Sequence, residues 1–302
     1  MFVWQAGFTS ILLCTTKKRV KWAKIVKEQL LAFLKRGDTT GALAYKNKDI
    51  PDLLYKFYPL LDERFANYEQ VNENRLALLE ENEFWMSSYS NLNDPYEFKA
   101  LLYEEAHLAP KGLHTDALYQ FIKERQSHYG IGCFSTNFSR NMPMWAHYAN
   151  NHKGYCVEYE VIDPRNIFKV FYEEKRQRPT FLFPSAVQQI QEVEQGKRRR
   201  ISNNTEVIFL LLFLTNFMKH ETWSYEDEYR ILYNFHCNIG EGRTISNGKL
   251  GIWPKSIYLG LAISDVHRSA SIEIARKLRC AVYQMKLDDN SELFELLAMR
   301  ID

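Results

Sequence analysis

The sequence predicts an α+β fold: a mixed or antiparallel sheet core flanked by helices, with a helical N-terminal appendage. Three observations predict it. Short aromatic and β-branched runs bounded by turn residues recur along the chain. Helical patterns fall between them without strict strand–helix alternation. The 302 residues, 46% hydrophobic and 25% charged, supply enough apolar side chains for one large core. Residues 1–50 are expected to form the appendage and 51–302 the core domain, with a charged insertion at about 173–204.

Taken in order, "RVKWAKIVKEQLLAFLKR" (19–36) places Val20, Ile25, Leu30, Leu31 and Leu34 at roughly helical spacing, and Gly37 ends the pattern as a C-cap. "LLYKFYP" (53–59) reads as a strand ended by Pro59, 68–82 as a helix, and "EFWMSSYS" (83–90) as a strand. "NLNDPYEF" (91–98) opens with turn chemistry and is expected to start a helix, with Asp94 as N-cap and Pro95 at the first helical position. Residues 112–128 read as helix, "GIGCFST" (130–136) as a buried strand, and "NMPMWAHYANNH" (141–152) as a short helix. "GYCVEYEV" (154–161) and "IFKVFY" (167–172) read as strands, and about 205–220 as a long apolar helix. Strands are then expected near 226–234, at 256–263 and, last, at 280–287, with a helix over 264–278.

Net charge is +2, so the whole-molecule field does not argue for nucleic acid. The charge is uneven: Lys17 to Arg36 holds eight Lys and Arg against one Glu, a stretch able to meet a partner protein or RNA. "KRRR" at 197–200 is a second basic run. Five cysteines without a C-x-x-C pair suggest reduced thiols and a cytoplasmic protein. The apolar stretches at 8–14 and 207–217 are too short to span a bilayer, so no membrane association is expected.

Four places put polar groups in apolar surroundings. Lys56 sits inside an aromatic strand, where an inward ammonium would bind an anion and an outward one would be solvated. Ser88, Asn93, Asp94 and Glu97 crowd one turn, which either caps itself or offers N–H groups to a phosphorylated ligand. Ser135 ends a buried strand, and Trp145, His147 and Tyr148 crowd the helix that follows. His147 and His152 are five residues apart, which is not the i, i+4 zinc spacing, and no metal site is expected. Cys133 sits mid-strand among apolar residues, where thiols are usually inert. Finally, "WSYEDEYRIL" (223–232) read as a strand puts Trp223, Tyr225, Asp227 and Tyr229 on one face and Glu226, Glu228 and Arg230 on the other. The two glutamates would then stand about 7 Å apart, suiting a pair that holds a hydroxyl and stabilises positive charge. Arg230 would either neutralise Glu228 or face a cleft.

Together "FWMSSYSNLNDPYEF", "GIGCFSTN", "MWAHYANNHKGYCVEY" and "WSYEDEYRILY" resemble, in this order, the hallmarks of the bacterial family called domain of unknown function 2971, over about residues 53–287. The family name implies no activity. The order of motifs is also similar to that of ADP-ribosyltransferases, with Lys56 early, "FST" in the middle and Glu226-x-Glu228 late. That resemblance implies NAD as substrate and no bound cofactor. Glu228 would stabilise the oxocarbenium-like sugar, Glu226 would activate the acceptor, and His147 joins them as a catalytic candidate. Lys56, Ser88, Asn93, Asp94, Glu97, Ser135, Trp145, Tyr148, Trp223 and Arg230 would bind the ligand. Those enzymes use Arg or His where this chain has Lys56, and His147 has no counterpart in them. The expectation is an NAD-using toxin or antiphage-defence effector. The alternatives are a non-catalytic sensor of a nucleotide or phospho-ligand, and a metal-dependent nuclease built on Asp94, Glu97, Glu226, Glu228 and His147.

Overall fold

The computed structural model describes residues 30, 32–33, 36–109, 115–176, 183–202 and 213–301. The strands are β1 Leu53–Tyr58, β2 Glu83–Ser87, β3 Tyr129–Ser135, β4 Tyr155–Val161, β5 Ile167–Lys169, β6 Phe171–Glu173, β7 Met218–His220, β8 Glu228–Asn234, β9 Gly242–Ser246, β10 Ile252–Leu259, β11 Ala281–Leu287 and β12 Leu296–Arg300. The helices are α1 Thr39–Asn47, α2 Tyr68–Glu80, α3 Glu105–Leu108, α4 Thr115–Gln126, α5 Met142–Tyr148, α6 Phe183–Glu194, α7 Asn247–Leu250 and α8 Asp265–Leu278. The fold is α+β. The basic helix expected over 19–36 and the first part of the apolar helix expected over 205–220 lie largely outside the described residues.

The chain forms two compact units. One comprises Met1–Asp49, Leu92–His128 and Val170–Glu221; the other comprises Ile50–Asn91, Tyr129–Lys169 and Thr222–Asp302. The second unit holds a ten-stranded sheet in the order β12-β11-β10-β4-β1-β3-β2-β9, with β8 on β3 and β5 on β8. Only β10 and β11 run parallel within it, and α8 supplies the crossover that a parallel pair requires. The first unit contains the short parallel pair β6–β7.

Strand alternation gives the sheet two unlike faces. On one, Leu54, Tyr155, Val157, Tyr159, Ile257, Leu259 and Val282 form a continuous core with Leu79 of α2 and Ile274 and Ala275 of α8. On the other, Phe57, Cys156, Tyr258 and Met285 pack against Met144, Trp145 and Ala149 on and just after α5. Serine at 264 caps α8 by accepting from the His267 N–H at 3.3 Å.

Several local expectations need correction. The strand expected from 226 begins at Glu228; residues Glu221–Glu226 form a 3-10 turn, and Asp227 has φ +40°. The alternation assigned to Trp223 through Asp227 therefore does not exist. The tail of the predicted 205–220 helix is a 3-10 turn, Thr215–Phe217, followed by β7. Residues 95–98 form a turn rather than a helix, in which Asp94 accepts from the Tyr96 N–H at 2.8 Å without capping anything longer. β9 and β12 have no counterpart in the sequence reading, and β12 follows the strand taken as last.

A tight hub joins α5 to the sheet. Asn150, Asn151 and His152 all have positive φ, at 46°, 52° and 65°. This turns the chain so that Gly154 lies against β1 and accepts from the Gly260 N–H at 2.9 Å. A Cβ on Gly154 would stand 2.0 Å from the Tyr58 carbonyl oxygen. Because that neighbour is backbone, Gly154→Ala must push β1 from β4, at an expected cost of about 3 kcal/mol, the upper range for overpacking. Gly248→Ala in α7 meets nothing within 4 Å and should stabilise by about 0.5–1 kcal/mol. Urea midpoints of the two variants against wild type check both.

Candidate functional site

The register of five adjacent strands aligns a polar row on the α5 face. Ser256 of β10 pairs with Glu158 of β4, Glu158 with Tyr55 of β1, Tyr55 with Ser135 of β3, and Ser135 with Glu228 of β8. Directly opposed residues share a face, with Cβ atoms about 5 Å apart. Tyr55 is half-buried and the other four are buried, Ser135 completely. Glu158 and Glu228 thus stand three strand spacings apart, about 14 Å.

Each carboxylate of this face is held differently. Glu158 accepts from the Tyr258 hydroxyl at 3.0 Å and the Tyr55 hydroxyl at 3.5 Å, and no cation among the described residues pairs with it. Burial, with Glu158 next, pushes both phenols well above the ordinary tyrosine range, so they remain donors. Glu228 is clamped by Arg230 through Nε at 2.6 Å and a terminal guanidinium nitrogen at 2.9 Å, in a pair almost without exposure. Arg230 therefore turns towards Glu228, which settles the direction left open by the sequence. The Cys133 thiol also hydrogen-bonds Glu228; burial and that carboxylate push the thiol far above its ordinary range, so it is a poor nucleophile.

The helix and turn beside the row bring further groups. Tyr148 donates to Glu226, which is 3% exposed in the 3-10 turn rather than on a strand. Asn141 donates to the Tyr225 carbonyl, tying that turn to the start of α5. His147 is exposed, its ring 6.2 Å from that of Tyr225, and Trp223 lies 6.2 Å beyond Tyr225. Thr136 donates to Asp227. Trp145 is core: it stands edge-on to Phe57 at 5.1 Å and donates its indole N–H to the Phe138 carbonyl at 2.6 Å.

Other residues singled out by sequence lie elsewhere. Lys56 alternates onto the opposite, apolar face, where its ammonium lies over the rings of Tyr58 and Phe84 and 3.4 Å from the Cys133 carbonyl. Burial lowers its pKa, and the charges of Cys133 and Glu228 only partly oppose this. Ser88 closes the β2 end, its hydroxyl 2.9 Å from that of Ser90 and its N–H on the Glu241 carbonyl. Asn93, Asp94 and Glu97 belong to the first unit, where Asn93 is exposed and Glu97 faces Lys219 at 3.8 Å. The sequence reading missed Tyr55, Glu158, Ser256 and Tyr258. The only signal for Glu158 was an acid inside "YCVEYEV", a strand otherwise fit for burial. Among the described residues, no three His, Cys, Asp or Glu side chains are grouped as a metal requires, and no helix is long and apolar enough to cross a membrane.

Two measurements follow from these contacts. Removing the charge of Arg230 by Arg230→Met leaves Glu228 buried without a cation and should cost about 3–5 kcal/mol. The double variant with Glu228→Gln should recover part of that in a denaturation cycle. For Lys56 the folded pKa lies below the unfolded one. Below about pH 10 the unfolded chain therefore binds the proton more readily, and stability attributable to Lys56 rises with pH. The unfolding free energy of Lys56→Met minus that of wild type should fall as pH rises towards 10; a difference that rises there instead contradicts the buried ammonium.

The segment that carries most of these residues has known relatives. No curated protein and no solved structure matches the chain. Residues 144–231 match the model of a family described as "Protein of unknown function (DUF2971)". That span begins in α5 and ends within β8, and includes His147, Tyr148, Glu158, Trp223, Glu226, Glu228 and Arg230. Over residues 144–231 the chain is thus similar to the DUF2971 family, which the motifs resembled.

Proposed function

We propose that the α5 face of the sheet is a ligand site for NAD, and that the chain cleaves its nicotinamide–ribose bond. The observation that carries this reading is the cross-strand row Glu158–Tyr55–Ser135–Glu228, a line of buried polar groups where the same sheet is otherwise apolar. Its electrostatics suit a cationic transition state. Glu158, Glu226 and Glu228 bring three carboxylates to this side of the sheet, against one guanidinium, that of Arg230. Negative charge fixed in a dry site stabilises developing positive charge without reorganising.

In this reading the bond between ribose C1′ and the pyridinium nitrogen breaks, and its electron pair leaves with neutral nicotinamide. The sugar carries positive charge that Glu228, oriented by Arg230, stabilises. Water or an acceptor hydroxyl then attacks C1′ and gives its proton to Glu226, which Tyr148 orients. Half-buried aromatic rings at Trp223 and Tyr225 and the exposed imidazole of His147 border the same turn. An NAD-consuming protein of this kind would act as a toxin or defence effector.

A second reading, a non-catalytic nucleotide sensor, is favoured by one contact: Arg230 occupies both oxygens of Glu228. The metal-nuclease reading has no ligand group to build on among the described residues. Incubation of the folded chain with NAD should release nicotinamide, and Glu228→Gln should slow release by about 100-fold or more. A folded wild type that releases none, yet melts at higher temperature with NAD present, establishes the sensor and rejects the enzyme.

A further inference from the structure

Glu158 is the carboxylate of the row to which the cleavage assigns no step. It is 6% exposed, and among the described residues its partners are two uncharged hydroxyls, on Tyr55 and Tyr258. Burying a carboxylate beside neutral donors alone is costly, because no nearby charge replaces the water it lost. A neighbouring ring stack compounds the observation. Phe138 lies over Tyr258 at 4.1 Å and against Tyr55 at 4.8 Å, and Tyr283 stacks on Tyr258 from the far side at 5.0 Å. An anion beside stacked aromatic faces offers a cation two attractions, Coulombic and quadrupolar.

We propose that Glu158, Tyr55 and Tyr258 form a box for a monovalent organic cation carrying its charge on a ring or alkylated nitrogen, and that Phe138 occupies the cation's place until it binds. Phe138 suits that part. It lies on the segment between β3 and α5, and its ring is half-buried, whereas its carbonyl is anchored by Trp145. The side chain can thus leave Tyr258 while the backbone stays. Tyr55 and Phe138 are both partly exposed, so solvent reaches the box at these two rings. A compact, strongly hydrated ammonium would gain less there than a delocalised pyridinium, which gives up less hydration on entering.

This inference goes beyond the NAD reading, because a cation held at Glu158 stands about three strand spacings from Glu228 and is not the group cleaved there, and the two fail separately. The probes are 1-methylnicotinamide, a pyridinium cation, and nicotinamide, its uncharged counterpart, titrated by calorimetry into the full chain. The cation should bind at least tenfold more tightly than nicotinamide. Glu158→Gln should abolish that preference, and Phe138→Ala should bind the cation at least as tightly as wild type. Equal binding of the two probes by wild type overturns the box, whatever the variants do. A tenfold loss in Phe138→Ala overturns its place as the displaced ring. Cation binding without nicotinamide release from NAD keeps the box and rejects the cleavage. NAD cleavage by a wild type that does not prefer the cation keeps the cleavage and rejects the box.

Discussion

The register of β4, β1, β3 and β8 is the constraint on which the rest of the polar face depends. Side chains alternate with a period of two, so a slip of β1 by one residue would exchange Tyr55 for Lys56. The row would then hold an ammonium between Glu158 and Ser135, and Tyr55 would be driven against Val157 and Tyr159 on the face that Leu54 would leave. The register is fixed from the apolar side, where Leu54, Val157 and Ile257 have no other place to go. One face of the sheet thus specifies the position of every polar group on the other.

Lys56 shows how little freedom that leaves. β3 pairs with β1 at Ser135 and with β2 at Ile131, and Cys133 lies between these points. Lys56 reaches the Cys133 carbonyl in that interval, over the Phe84 ring of β2. The split between two neighbouring strands gives its polar tip an acceptor on a face that otherwise holds apolar side chains. Its stem packs with the core, as long cationic side chains do where carbon surrounds them. The same lysine, read from sequence as a choice between anion site and solvated edge, is neither.

Some of this architecture is visible in the sequence and some is not, for identifiable reasons. The strands "LLYKFY", "YGIGCFS" and "YCVEYEV" are long apolar runs, and their existence follows from composition. Which residues face one another does not, because Tyr55, Glu158, Ser135 and Glu228 come from four segments whose pairing is non-local. Glu158 was hidden by its own setting: a single acid in an apolar strand carries no periodic signal. The error at 223–227 has a local cause. "WSYED" alternates like a strand, but Asp227 takes a left-handed φ and reverses the chain before β8 begins. Asp94 was placed on a helix because Asn-Asp-Pro is turn chemistry that precedes helices and free turns alike.

The two buried glutamates at the ends of the row also differ in what they allow. Glu228 has a compensating charge built in, through two short bonds from Arg230, so it is paired whether or not a ligand arrives. Glu158 has only phenolic donors, which orient a carboxylate but do not cancel its charge. A field that is balanced at one end and unbalanced at the other is directional. A cation arriving from solvent therefore gains most over Glu158, where no positive charge is yet in place, whereas at Glu228 the guanidinium of Arg230 already supplies one. The strand spacing of about 14 Å keeps the two ends apart, so a charge held at one leaves the field at the other intact.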